Sequence, residues 1–284
     1  MKTIVAASDF SPESAVAVNK AAALAKLSGA RLALLHAINP RGFFGRLFSQ
    51  IGVEAALDES KKRLRSILES LGAEGEAIAL EGAPSETILK VADEKNADLI
   101  ALGDHVEFNI GDLLLGTTAR HTIELSSLPI LVVKNESPIP YKRAMIAADF
   151  SECSAKAAKF AIETFGDAEF VVFNAYLAPS DITASYYGAI TNEASSMLET
   201  MRSEAISALD SFLKSLPFGD RKIRTIVRAS ASPSRAILET ARSENCDLIV
   251  MGAKGIESFV PMMIGSSVES LLRRSDIDML IARR

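Results

Sequence analysis

Residues 235–254 read RAILETARSENCDLIVMGAK. Ile237, Leu238 and Ala241 return at spacings of one and three, the pattern of a helix with one buried face. Asn245-Cys246-Asp247 breaks that pattern. Leu248–Met251 is then apolar without alternation, as a strand buried on both faces requires. Gly252 ends it. A helix, a short turn, a two-sided strand and a glycine together make one unit of a parallel α/β sheet. The same frame occurs earlier, as ETILKVADEKNADLIALGDH at 86–105, identical at eight of twenty positions. Pro84-Ser85 precedes the earlier copy and Pro233-Ser234 the later one.

Working outward, the repetition extends over the chain. VAASDFSPES at 5–14 is answered by MIAADFSECS at 145–154, so Asp9-Phe10-Ser11 returns as Asp149-Phe150-Ser151. Gly116-Thr117 is answered by Gly265-Ser266. Similarity in the same order over the whole length implies two homologous domains, 1–137 and 141–284. The stretch NESPIPYKR at 135–143, with its two prolines, suits the linker between them. In each half, β-rich runs alternate with helix-period segments. The expected strands are 3–7, 31–37, 76–80, 98–102 and 129–133 in the first half. In the second they are 144–148, 170–175, 224–227, 247–251 and 279–282. The expected fold class is α/β: two tandem doubly wound, Rossmann-like domains of five parallel strands, with right-handed crossovers.

Composition narrows the function classes. Of 284 residues, 48% are hydrophobic and 24% charged, which is a folded, globular balance. A formal net charge of −5 argues against a nucleic-acid binder, whose footprint would be basic. No apolar run reaches the ~20 residues that span a bilayer, and Asp9 interrupts the N-terminal apolar run too early for a signal-peptide core. Cys153 and Cys246 show no metal or disulfide spacing. A reducing cytoplasm is the expected compartment.

Open parallel sheets take ligands beyond the carboxyl ends of their strands, where the crossover direction reverses. Asp149 follows the first strand of the second half and Gly252 the fourth. A glycine there lets a ligand approach the backbone, and Gly255 can take positive φ without a steric penalty. Gly265-Ser266-Ser267 opens the next helix, where unpaired N–H groups and the dipole favour an anion. A serine at that point is expected to cap the helix and to offer its hydroxyl. Lys254 adds a positive charge. Glycine after a strand and serine at a helix start are also ordinary turn and cap chemistry, so only their convergence at one end of one sheet points to a phosphate.

The spacing Gly252-x2-Gly255-x9-Gly265-Ser266 resembles the nucleotide motif of the universal stress protein family, and AADFS resembles that family's first strand and acidic turn. LLHA at 34–37 and LPILVVK at 128–134 are similar to its second and fifth strands. The resemblance covers nearly the whole chain twice. It implies that Ala147, Ala148 and Asp149 lie beside adenine and ribose, with Ala175 lining the adenine pocket. It implies that Gly252 approaches the ribose, while Gly255, Gly265, Ser266 and Ser267 hold phosphates. The ligand is then ATP, or ADP or AMP, with Mg2+ as an allowed companion near Asp149. Lys254 as a phosphate contact is read from its charge.

The first half departs from this pattern. Asp9, Gly103, Gly116 and Thr117 keep their places, but Val106 replaces the second glycine. If that position is left-handed, a β-branched side chain there costs on the order of 1–2 kcal/mol or forces another loop shape. Asp104, Glu107 and Asp112 also oppose a polyphosphate. The first copy is therefore read as degenerate for ATP, keeping another ligand or a structural role.

Other residues attract notice without forming a motif. His36, His105 and His121 make no metal pattern, and Cys153 at a helix start is read as packing. The loops at 39–55 and 178–191, with their phenylalanines and tyrosines, are candidate lids. No Walker lysine and no general base accompany the glycines, so efficient hydrolysis is not expected. A regulatory nucleotide binder of the stress response leads, ahead of an interaction scaffold and of a slow ATPase or autophosphorylating protein. Family members pair through their last strands, which implies an internal pseudo-dimer of the two halves and allows a homodimer of the whole chain.

Overall fold

The computed structural model describes residues 1–39, 52–104, 106–109, 112–115, 117–137, 139–176, 192–254 and 264–283. Two compact units emerge: residues 1–140 with 276–283, and residues 141–275 with Arg284.

The first unit begins with β1 (Thr3–Ala7), α1 (Pro12–Ser28), β2 (Arg31–Ile38), α2 (Val53–Leu71), β3 (Gly75–Glu81) and α3 (Pro84–Glu94). It continues with β4 (Leu99–Gly103), β5 (Val106–Asn109), β6 (Asp112–Leu115), α4 (Thr117–Leu125) and β7 (Ile130–Val133). Its main sheet runs β3-β2-β1-β4-β7, all parallel. The order reverses between β1 and β4, so the switch point lies at their carboxyl ends. Ile4, Val5, Leu32, Leu34, Leu35, Leu99 and Ile100 are fully buried, consistent with helices on both faces.

Local chemistry sets the ends of these elements. Ser11 caps α1 by accepting from Ser14 N, Pro12 occupies its first turn, and Gly29 ends it at φ 66. The aspartate shared by both repeats anchors the first strand of each. Asp98 accepts from Lys2 N and Thr3 N, and Asp247 accepts from Lys142 N and Arg143 N.

The second unit contains β8 (Arg143–Ala147), α5 (Glu152–Thr164), β9 (Glu169–Tyr176), α6 (Asn192–Lys214), β10 (Ile223–Ala229), α7 (Pro233–Ser243), β11 (Leu248–Gly252) and α8 (Ser266–Arg274). Its strands run β10-β9-β8-β11, again all parallel, with the switch between β8 and β11.

Two features were not part of the expected strand pattern. The last strand, β12 (Asp278–Ala282), groups with the first unit and pairs antiparallel with β7, Leu280 opposite Leu131. The edge of β7 offers unpaired backbone groups that a buried strand can satisfy. In addition, β5 and β6 form a separate antiparallel hairpin, Val106 opposite Leu115. No helix among the described residues is long and apolar enough to cross a membrane.

The β12 strand is held by charge as well as by its ladder. Asp278, 0% exposed, pairs with Lys20 of α1, whose side chain is 3% exposed. Lys20 Nζ also donates to Ser137 Oγ at 3.0 Å, and Asp278 Oδ1 accepts from Lys134 N at 2.8 Å. Removing one member of a buried pair leaves the other charge uncompensated, at a typical cost of about 3–5 kcal/mol. Lys20→Met is therefore expected to lower stability by that amount. Lys20→Met with Asp278→Asn should lose clearly less than the sum of the two single changes. Urea unfolding of the three variants checks both statements.

Candidate functional site

The two switch points are built alike. In the second unit the chain leaves β8 at Ala147 and turns through Asp149-Phe150-Ser151 into α5. Asp149 Oδ1 accepts from Ser151 N at 3.0 Å and from Ser151 Oγ at 2.6 Å. Ser151 Oγ in turn accepts from Ser154 N at 3.1 Å, capping the helix. Phe150 sits at φ 66, as does Phe10 in the first copy. A left-handed conformation is costly for a bulky residue, so each copy holds a strained turn where its helix begins. Ring contacts brace both: Phe150 packs on Phe212 at 5.7 Å, and Phe10 lies 4.5 Å from His36 with Arg63 4.2 Å above it.

Gly252 and Gly103 end the neighbouring strands, and neither faces open space. A Cβ at Gly252 would lie 2.7 Å from Ser154 N and 2.8 Å from Cys153 Cβ. At Gly103 it would lie 2.7 Å from Glu13 O. Each glycine is thus required by close packing of the first helix, a role the spacing alone did not reveal. The same packing accounts for Cys153, which is buried and in no disulfide.

Two hydrogen bonds draw the parts of the second site together. Ser151 Oγ lies 3.3 Å from the carbonyl of Lys254, tying the acidic turn to the loop after β11. Gly265 N donates to Ala253 O at 2.9 Å, tying the start of α8 to that same loop. Asp149, Gly252, Lys254, Gly265, Ser266 and Ser267 are therefore joined at one end of one sheet. The cap of α8 is Gly265 at φ −63, ψ 144, with no side-chain cap bond. Ser266 and Ser267 fall in the first turn, which corrects the expectation of a serine cap. Among the described residues, no acceptor meets the N–H of Ser266 or Ser267.

The backbone beside Ala147 and Ala148 is already engaged. Ala148 N donates to Phe173 O at 2.8 Å, and Ala148 O accepts from Asn174 Nδ2 at 2.8 Å. A ligand there meets the surface of this backbone and gains no free amide from Ala148. Ala175, half-buried, continues β9 beyond Asn174. Two buried atoms at this end, Asn174 Oδ1 and Ser154 Oγ, have no partner. Asn174 is a residue that sequence reasoning passed over. Its counterpart is His36, whose Nδ1–H donates to Ser8 O at 2.7 Å.

In the first copy, Asp9 repeats the acidic turn, with Ser11 N donating to Asp9 Oδ1 at 2.9 Å. Beyond Gly103 the first copy continues into the hairpin. Val106 opens β5 and Thr117 opens α4, and the hairpin occupies the chain between them. Gly255, Gly116 and His105 lie outside the described residues, as do residues 40–51 of the candidate lid at 39–55 and the whole of the candidate lid at 178–191. Among the described residues no cluster of His, Cys, Asp or Glu could hold a metal. The grooves between α3 and α4 (about 360 Å³, at Leu89, Asp93 and Leu128) and between α7 and α8 (about 280 Å³, at Arg235, Glu239 and Arg274) are not at these strand ends.

With this geometry in place, comparison with known proteins is informative. The family model described as the universal stress protein family matches residues 1–134 and again 140–283. The chain belongs to that family. Universal stress protein Rv2623 of Mycobacterium tuberculosis is 24% identical over 297 residues, covering 99% of this chain and 96% of that protein. Universal stress protein MJ0577 of Methanocaldococcus jannaschii is 28% identical over 156 residues, 48% of this chain and 96% of the relative. A crystal structure of a universal stress protein from Archaeoglobus fulgidus aligns with a TM-score of 0.68 at 22% identity, covering 99% and 98% of the two chains. The last likeness supports the fold.

His36 makes the first copy sensitive to pH. Burial pushes its pKa below the ordinary value, against the opposing pull of the Ser8 carbonyl and Asp9, while Arg63 pushes the same way as burial. A folded pKa below the unfolded one means that the unfolded chain binds the proton more readily. Stability from this group is therefore full above about pH 6.5 and declines as pH falls through the lowered value. His36→Asn, which copies Asn174, is expected to flatten stability between pH 7 and pH 5 while preserving the bond to Ser8 O. Urea midpoints at the two pH values check it.

Proposed function

We propose that this universal stress protein is a regulatory binder of an adenine nucleotide, ATP in the first instance, held by its second copy. The supporting observation is the pair of hydrogen bonds that gather the Asp149 turn, the loop after Gly252 and the start of α8. Phosphates would meet the amides of Ser266 and Ser267 and the positive end of the α8 dipole, with Lys254 and Gly255 completing the loop. Charge-assisted bonds of this kind contribute roughly 1.5–3 kcal/mol each. Adenine and ribose would lie against Ala147, Ala148, Asp149 and Ala175. Mg2+ would be held by the phosphates with Asp149 nearby, supplying charge neutralisation. The residues present fit such a ligand, since their donors are amides and their one nearby carboxylate is engaged by Ser151.

The first copy is altered for another ligand or for a structural role on this reading. Its hairpin would stand where a glycine loop has to wrap phosphates. On this reading nucleotide occupancy, rather than turnover, carries the signal. The two domains, 1–137 and 141–284, and the internal pseudo-dimer belong to the same proposal.

One adenine nucleotide per chain is expected. Gly265→Glu sets a carboxylate at the start of α8 and should weaken ATP at least tenfold, about 1.4 kcal/mol. Gly255→Val should act similarly, whereas Gly116→Glu should leave affinity nearly unchanged. Calorimetric titration with ATP decides the matter. Two equivalent sites, or equal losses at Gly116 and Gly265, would overturn the proposal.

A further inference from the structure

The groove between α7 and α8 belongs to the second unit and encloses about 280 Å³. Leu238 and Leu271 line it and are buried. Arg235, Arg242, Arg274 and Glu239 also line it, and all four are exposed. The groove between α3 and α4 is its counterpart in the first unit, with different chemistry. In the repeat frame that pairs Gly116 with Gly265, Arg242 and Arg274 answer to Asp93 and Leu125, which line that first groove. Arg235 answers to Glu86, while Leu238 answers to an unchanged leucine, Leu89. Two acids and one leucine of the first copy are thus arginines in the second.

Helix electrostatics explain only part of this change. Arg242 and Arg274 lie in the last turns of α7 and α8, where a cation complements the helix dipole. Arg235 lies in the first turn of α7, where an anion is favoured. Glu86 occupies that turn in the first copy, and no acidic residue occupies it in α7. Arg235 Nε donates to Glu239 Oε1 at 2.7 Å, but the side chains are 76% and 42% exposed. Such a solvated pair adds little to stability. Glu239 also accepts from Arg228 at 3.1 Å, so its charge is shared. The fold alone gives no reason for a cation at position 235.

We propose that the α7–α8 groove docks an acidic segment of a protein partner. Three arginines stand against one glutamate there, in a chain whose formal net charge is −5. The groove is therefore a local positive surface on an acidic protein, and complementary charge of this kind steers and selects partners. Arg235 and Arg242 are seven residues apart on one helix, about 10 Å along its axis. Arg274 stands on the neighbouring helix. Cations spread over that length match successive carboxylates of a chain better than a single phosphate. Guanidinium groups also meet carboxylates through two parallel hydrogen bonds, which adds geometric selectivity. The acidic balance of the whole chain disfavours nucleic acid as the occupant.

The inference concerns a groove away from the strand ends and stands apart from nucleotide binding. A fluorescein-labelled decapeptide of glutamate is titrated with the full chain at low salt, and its anisotropy is read beside that of a glutamine decapeptide. Wild type is expected to bind the first peptide and not the second. Arg235→Gln with Arg274→Leu, the latter copying Leu125, should weaken the glutamate peptide at least ~10-fold. Arg65→Gln with Arg202→Gln removes two exposed cations elsewhere and should bind as wild type does. Equal weakening in the two double variants would reduce the effect to net charge and overturn the assignment, as would no binding by wild type. Urea unfolding verifies that each variant is folded. If the groove variant does not fold, Arg274→Leu alone decides: weaker binding supports the groove, and unchanged binding overturns it. An RNA decamer that binds more tightly than the peptide and is lost in the groove variant would also overturn the protein partner. ATP titration of wild type is independent of these results, so this inference and the nucleotide proposal can fail separately.

Discussion

Each copy depends on how closely its first helix can approach its fourth strand. At Gly252 the missing Cβ would lie 2.7 Å from Ser154 N, and at Gly103 it would lie 2.7 Å from Glu13 O. Backbone cannot yield at such distances, so glycine is obligatory in both places. The approach determines where α1 and α5 begin, and the chain has only four residues after the first strand in which to turn. It does so through a phenylalanine in the left-handed region, held by the Asp-Ser pair beside it. The acidic turn and the glycine are thus two halves of one packing solution, whether or not a ligand binds above them.

That common scaffold explains how the copies can share a fold and differ in chemistry. Everything up to Gly103 and Gly252 is fixed by packing, and the divergence begins one residue later. Asp104 pairs with Lys134, and the following chain pairs with itself as a hairpin. In the second copy Ala253 presents a carbonyl to Gly265 N, drawing the α8 start towards the strand end. A β-branched residue at Val106 is well suited to a strand and poorly suited to a positive-φ turn. The substitution that spoils the glycine loop therefore also favours the hairpin found there.

Much of this was legible in the sequence because the relevant signals are local. Two-sided apolar runs such as LIVM mark parallel strands, and Ser11-Pro12 marks a helix start, so strand limits expected from the sequence agree with the structure to within one or two residues. Long-range packing was not legible. Nothing in the spacing says that the Cβ direction of Gly252 is filled by the α5 backbone, and a glycine needed for packing reads the same as one needed for a ligand. Asn174 was passed over because an apolar strand with one polar residue near its end carries no motif. The cue was positional: its counterpart in the first repeat is His36, and both bond the carbonyl after the first strand. The hairpin was foreseen only as another loop shape, since two four-residue strands fall below what periodicity can resolve.

The grouping of β12 follows from the same distinction between local and distant signals. MLIA is an apolar strand wherever it is placed, and the sequence repeat assigns it to the second copy. What binds it to the first unit is a charge that the repeat does not contain. The second repeat carries Asp278 where the first carries Pro129, and the first carries Lys20 where the second carries Phe160. Buried together, Lys20 and Asp278 compensate one another, while each alone would cost several kcal/mol. The duplicated chain therefore departs from symmetry in complementary places. One departure fastens the terminal strand through Lys20 and Asp278, and the other closes a motif loop through Lys134 and Asp104. Lys134 joins the two, since its backbone N–H meets Asp278 and its ammonium meets Asp104.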